Sequence, residues 1–298
     1  MVYTIREIVS YLEKIAPPAY QESYDNAQLI TGNPDDEVKG ILCTLDVTEA
    51  VVEEAIDLGC NLIVAHHPIV FKGLKSLTGR NYVERTVIKA IKNDIAIYAI
   101  HTNLDHVSHG VNQKISEKLG LVNTKILHPK KEMLSKLVTF APQDAAEKVM
   151  NALFKAGAGQ IGEYTDCSFL TEGTGTYTPS DKANPYLGEK GTAHREEEIK
   201  IEVILPGFLE NKVLTSLKAA HPYEEVAYYL QKLENENQTV GAGMVGDLPY
   251  SMDENEFLSH LKKSMQLNTI KHTALLTKPV KKVAVCGGAG IFLLNHAK

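Results

Sequence analysis

Between Gly40 and Gly120 short apolar runs alternate with amphipathic segments, and this alternation restricts the fold more than any other feature of the chain. "GILCTLDVT" (40–48), "NLIVAHHP" (61–68) and "IAIYAIHTNLD" (95–105) read as strands. "EAVVEEAIDLG" (49–59), "YVERTVIKAIKND" (82–94) and "VNQKISEKLGL" (111–121) carry apolar residues at helical spacing, and Gly59 and Gly120 supply stops. Strands and helices in strict alternation predict right-handed crossovers and a mostly parallel sheet flanked by helices.

The pattern changes near Leu127, where "HPKKEM" (128–133) breaks it. From there to residue 239 the order is strand "LSKLVTFAP", helix "QDAAEKVMNALFKAG", strand or bent hairpin "YTDCSFLTEGTGTYTP", a polar loop from Ser180 to Arg195, strand "IKIEVILP", helix "FLENKVLTSLKAA" and strand "EVAYYLQKLE". This β-α-β-β-α-β order is the ferredoxin-like arrangement. The chain is thus expected to be an α/β protein with a discontinuous domain, residues 1–127 plus 240–298, into which an α+β ferredoxin-like domain, residues 128–239, is inserted. The last stretch reads as helix "DENEFLSHLKKSMQ", a short strand near "HTALL" (272–276), then strand, glycine turn and the opening of a helix in "KKVAVCGGAGIFLLNHAK". That helix stops at Lys298 after barely two turns, so the domain is expected to continue beyond it.

Several function classes fall away at this point. No apolar run is long enough to cross a bilayer, and "MVYTIREIVSYLEKI" lacks the basic start, apolar middle and cleavage site of a secretion signal, so the expectation is a cytoplasmic protein without a membrane segment. Cys43, Cys60, Cys167 and Cys286 are scattered, without metal or disulfide spacing, and are expected to be reduced. A net charge of -6 gives no nucleic-acid footprint, and the basic run Lys278 to Lys282 reads as a solvated strand edge.

Ligands of open α/β sheets bind at the carboxyl ends of the strands. Polar groups stand there in this chain: Asp46, then His66 and His67, then His101 and Asp105. Imidazole and carboxylate together suit divalent Zn, Fe, Mn or Ni. Neighbouring side chains on an extended strand diverge, so adjacent histidines are expected to reach two different ions, with Asp105 between them. His101 reads equally as a ligand or as a residue that orients one, and Asp46 either supports the site or caps the following helix, capping being the expectation beside Thr48. His66, His67 and Asp105 alone cannot fill two coordination shells. In "HPYEE" (221–225), either His221 and Glu224 line a small-ligand or metal-sensing site, or Pro222 ends the preceding helix and Glu224 and Glu225 lie on a solvated edge, the second being expected. "CGGAG" (286–290) lacks a nucleotide fingerprint and is expected to serve close packing, and "GTGTY" (173–177) reads as a flexible strand or turn.

"YDNAQL" (24–29), "AHHPIVF" (65–71), "IHTNLD" (100–105), "HPYEE" and "VAVCGGAG" (283–290), in this order, resemble the Nif-three-like proteins, often labelled GTP cyclohydrolase 1 type 2 homologue or dinuclear metal centre hexameric protein. The resemblance covers essentially the whole chain. It implies a toroidal homohexamer, two divalent metal ions per subunit, a PII- and CutA-like middle domain, and His66, His67 and Asp105 as metal ligands. Two departures stand out: the family's closing histidine and glutamate, one helical turn apart, have no counterpart before Lys298, and Gln28 stands where glycine is usual. His296 has no glutamate four residues on, so reduced metal occupancy is expected. The function implied is metal-dependent hydrolysis of a small-molecule substrate, GTP cyclohydrolase-like or phosphoesterase-like. The alternative is a non-catalytic metal-binding or regulatory hexamer whose inserted domain senses a small ligand.

Overall fold

A computed structural model describes residues 2–298, which divide into two compact units: residues up to Pro129 together with Gln238–Lys298, and Lys130–Asn237. In the first unit, helix α1 (Ile5–Ile15) opens on a capping box in which Thr4 and Glu7 each satisfy the other's backbone amide. Strands β1 (Leu29–Thr31), β2 (Ile41–Thr44), β3 (Leu62–Ala65) and β4 (Ala96–Ala99) form one sheet in the order β1-β4-β3-β2. β2, β3 and β4 are parallel, joined through α2 (Glu49–Asp57) and α3 (Tyr82–Lys92), while β1 pairs antiparallel to β4. Val52, Ala55, Val87 and Ala90 of these helices bury themselves against Ile63 and Ile97 of the sheet.

The register of the parallel strands positions everything that follows. Thr44 lies opposite Ala65 and Ala65 opposite Ala99, so the three strands end level and their next residues emerge on one rim. The amides of His66 and His67 donate to the Thr44 and Leu45 carbonyls at 3.1 and 2.9 Å, and that of Ile100 to Ala65 at 2.9 Å, which carries the pairing beyond the strands. The chain then turns into the short helix α4 (Thr102–His106) and into α5 (Val111–Lys118). "HTNLD" is thus a helical turn rather than a strand end.

The first unit also has a second, antiparallel sheet, with strand order β11-β10-β5, formed by β5 (Val122–Lys130), β10 (Asn237–Met252) and β11 (Val280–Val285). The parallel arrangement expected from the sequence therefore holds for β2 to β4 alone. The glycines of β10 permit the close pairing: a Cβ on Gly241 would strike the His128 carbonyl, and one on Gly246 would lie 3.0 Å from that of Val122. α8 (Glu254–Met265) follows. The strand expected near "HTALL" is irregular and exposed, and instead the amides of Leu276 and Thr277 donate to the two carboxylate oxygens of Glu254 at 2.9 and 2.7 Å. After the glycine turn the chain forms a 3-10 turn at Ile291–Leu293 rather than an α-helix.

The second unit runs β6 (Leu134–Pro142), α6 (Ala146–Ala156), β7 (Phe169–Tyr177), β8 (His194–Pro206), α7 (Glu210–Ala220), β9 (Tyr228–Leu233), with sheet order β7-β8-β6-β9 and antiparallel neighbours throughout. That is the ferredoxin-like topology. Val149, Leu153, Val213 and Leu217 of the helices pack on Leu137, Ile201, Val203 and Leu205 of one sheet face. His221 is buried just past α7, its Nε2 donating to the Phe140 carbonyl at 2.8 Å and its Nδ1 accepting from the Tyr223 amide at 3.1 Å. One ring nitrogen thus ties the end of α7 to β6, and the other closes the local turn to Tyr223.

Two outcomes follow from this packing. Leu217→Ala opens a cavity in the second unit's core and costs about 2–5 kcal/mol, read by chemical denaturation. Burial holds His221 below its ordinary 6.5, against the weaker upward pull of the Phe140 bond and of Glu198. An unfolded chain then takes up that proton first, so the stability contributed by the neutral ring is whole above pH 6.5 and is lost as pH falls below it. His221→Gln, which keeps a donor for Phe140, flattens the slope of unfolding free energy against pH below 6.5 relative to the unsubstituted protein.

Candidate metal centre

His66 and His67 leave β3 in a bend closed by Pro68, not on the strand itself. Alternation of faces therefore does not apply to them. Their ring centroids are 5.0 Å apart, and each lies near the ring of His101, at 5.2 and 5.3 Å. This corrects the expectation that the pair diverges. The three imidazoles form one cluster, with one ligand atom from each lying within 4.8 Å of the others.

Each ring is oriented by a bond at Nδ1. That of His66 donates to the Ile100 carbonyl at 3.0 Å, that of His67 to Asp46 Oδ1 at 2.8 Å, and that of His101 to Asp25 Oδ1 at 2.8 Å. A carbonyl or carboxylate oxygen only accepts, so each Nδ1 carries a proton, and it is Nε2 that offers the lone pair when the ring is neutral. Asp46 therefore orients His67 and does not cap α2. The cap is Thr48, whose hydroxyl accepts from Val51 at 3.3 Å.

Asp25 is fixed in turn. Its side chain is fully buried, and Oδ2 accepts from the Thr102 amide at 3.0 Å and from the Thr102 hydroxyl. Burial alone would raise its carboxyl, but the bonds from His101, Thr102 and the Asn26 amide outweigh that and hold it below the usual range. Sequence reasoning assigned Asp25 no role, although it lies within "YDNAQL". Gln28 in the same motif donates no strain, having an ordinary φ, and its carbonyl accepts from Ala99 at 2.9 Å to start β1 beside β4.

α4 delivers Asp105. The helix is pinned by Asn103, whose amide group donates to the Ala16 carbonyl at 2.7 Å, and by His106, whose Nδ1 donates to the Tyr20 carbonyl at 2.8 Å. Asp105 Oδ1 lies 3.8 Å from His66 Nε2, is buried, and has no hydrogen-bond partner. Burial pushes this carboxyl up against the pull of His66, His101, His106 and His67, and burial pushes His66 down. The pocket thus gathers three imidazole lone pairs and an unsatisfied carboxylate oxygen, with no donor among them. Such a set of acceptors could hold a cation.

Asn112 ties the glycine turn to this helix, donating to the Asp105 carbonyl at 2.9 Å and accepting from the Gly287 amide at 2.8 Å. A Cβ on Gly287 would lie 2.9 Å from Val111, and one on Gly290 2.8 Å from the Cys286 Cβ, so "CGGAG" packs closely against α5 and on itself. His296 stacks on His128 at 4.0 Å and is not part of the cluster. Phe71 edges against His101 at 6.5 Å, and Tyr24 follows at 6.2 Å from Phe71, both exposed. Glu224 lies in the second unit, accepting from the Asn184 amide at 2.7 Å. Among the described residues no helix is long and apolar enough to cross a membrane.

Comparison with known proteins identifies the family and the fold. The family described as Duf34/NIF3 (NGG1p interacting factor 3) matches residues 3–298. The chain is 40% identical over 291 residues to the GTP cyclohydrolase 1 type 2 homolog of Halalkalibacterium halodurans, covering 97% of this chain and 78% of that protein. It is 38% identical over 294 residues to the Bacillus subtilis protein of the same name, covering 98% and 79%. A crystal structure of a Bacillus cereus protein related to NIF3 superposes with a TM-score of 0.86 at 42% identity, over 99% of this chain and 79% of that one. The chain belongs to the Duf34/NIF3 family.

Proposed function

We propose that His66, His67, His101 and Asp105 hold a divalent metal centre and that this centre serves hydrolysis of a small-molecule substrate. The observation that carries the reading is the cluster of three imidazoles, each bonded at Nδ1, beside the buried, unpartnered Asp105 Oδ1, which lies 3.8 Å from His66 Nε2. A bound divalent ion would lower the pKa of a coordinated water and stabilise negative charge on the substrate. Asp25, Asp46 and the Ile100 carbonyl keep the imidazoles in the ligating tautomer, and Tyr24 and Phe71 offer aromatic faces beside His101 to a flat substrate. The relatives' name, GTP cyclohydrolase 1 type 2 homolog, makes a purine nucleotide the first substrate to test. A cytoplasmic homohexamer with two ions per subunit, as the resemblance implies, completes the reading.

The four donors fill one four-coordinate site. A second ion draws on donors beyond them, so the expected content is one firmly held ion per subunit and a second that dialysis removes. Elemental analysis checks this; two ions retained, or none, would contradict it. Asp25→Ala frees the His101 ring and weakens metal binding by about 10–100-fold. Metal-loaded protein is expected to turn over GTP or a member of a phosphoester panel, and His66→Ala to lose that turnover. Equal turnover by the variant would remove the cluster from the reaction.

A further inference from the structure

The second unit contains a built cavity that the metal centre does not use. Its sheet covers one face with α6 and α7, and strand alternation turns Phe140, Glu198, Lys200 and Tyr229 to the other. Residues 178–193 fold back over that face and are tethered to it. The Tyr177 hydroxyl donates to the Leu187 carbonyl at 3.1 Å, the Asn184 amide to Glu224 at 2.7 Å, and the Gly191 amide to the Pro179 carbonyl at 2.7 Å. Beneath this strap lies a cavity of about 720 Å³, within the size range of small-ligand sites.

Its lining has a consistent chemistry. Tyr177 and Tyr186 flank Tyr223, each with its ring centroid 6.2 Å from that of Tyr223 and tilted by 60° and 50°. Around the rings stand Glu198, Glu224 and Glu225. The Tyr223 hydroxyl donates to Glu198 at 3.0 Å, which anchors the ring edge and leaves its face to the cavity. Gly175 of β7 makes room for that carboxylate, since a Cβ there would overlap it. The cation in the wall, Lys200, is drawn off to Glu202 at 3.2 Å, and the described lining holds no arginine. Glu198 and Glu224 accept from neutral donors only, Tyr223 and the Asn184 amide, so the negative charge of the wall is left without a cation and an anion would be repelled. Aromatic faces together with carboxylates suit a positive charge.

We infer that the cavity of the second unit binds a small organic cation, its ammonium group held against Tyr177, Tyr186 and Tyr223 and balanced by Glu198, Glu224 and Glu225. The assignment is independent of the metal centre. It also accounts for Gly175 of "GTGTY" and for Glu224 without calling on His221.

The test titrates the full-length protein with choline, putrescine and 3,3-dimethylbutan-1-ol, the uncharged isostere of choline, by calorimetry. Tyrosine emission gives a second readout, because the chain has no tryptophan. At least one cation is expected to bind saturably and the alcohol not at all. Tyr186→Ala, at a residue 52% exposed, and Glu198→Gln, which keeps an acceptor for Tyr223, are each expected to weaken binding by about tenfold with an unchanged circular dichroism spectrum. No saturation by either cation up to about 10 mM, equal binding of the alcohol, or affinity untouched by both variants would overturn the inference. So would a Tyr186→Ala protein that changes oligomeric state while the unsubstituted protein binds no cation, since a second copy would then occupy the cavity.

Discussion

Three protons, one on each Nδ1 of His66, His67 and His101, determine what the rim of the first sheet can do. Each is given to a fixed oxygen, a backbone carbonyl or a carboxylate, so that the opposite nitrogen is left as a lone pair. Reversing one of these bonds would aim a proton into the pocket and repel a cation. The orienting groups come from three separated places in the chain: Asp25 before β1, Asp46 after β2 and Ile100 after β4. They meet because β2, β3 and β4 pair in parallel and end level.

The arrangement carries a cost. A buried polar atom without a partner destabilises a fold by roughly 1–3 kcal/mol, and Asp105 Oδ1 is such an atom. Evenly satisfied surroundings would be more stable and chemically inert. The helix that presents it is only a single turn, too short to persist alone, and is held by Asn103 and His106 from outside. An unpartnered buried oxygen of this kind beside three imidazoles fits the proposal that the rim holds a cation.

Much of this was legible in the sequence for a definite reason. β3 and β4 are apolar runs that end in polar residues, so both the strands and their polar tips could be read. The ferredoxin-like order of the second unit followed from periodicities that are long relative to its loops. What escaped had weak or misleading local signals. β10 is rich in glycine and carries no clear strand alternation, although those glycines are needed for close approach to β5. "HTALL" is apolar yet exposed, so no neighbour makes it a strand. α4 is too short to show a helical period. Asp25 is 76 residues from the histidine it orients, a distance over which one sequence shows no pairing. For Asp46, a nearby threonine and an adjacent helix start made capping the simpler reading, and only the register of β2 against β3 reveals His67 beside it.

The most direct measurement is anomalous scattering from crystals of the protein equilibrated with zinc, recorded on both sides of the zinc edge. The account predicts a peak at about 2.0–2.1 Å from Nε2 of the clustered imidazoles, with Asp105 turned toward it and every Nδ1 still bonded as described. A peak bound through Nδ1, or zinc located only elsewhere in the molecule, would contradict it.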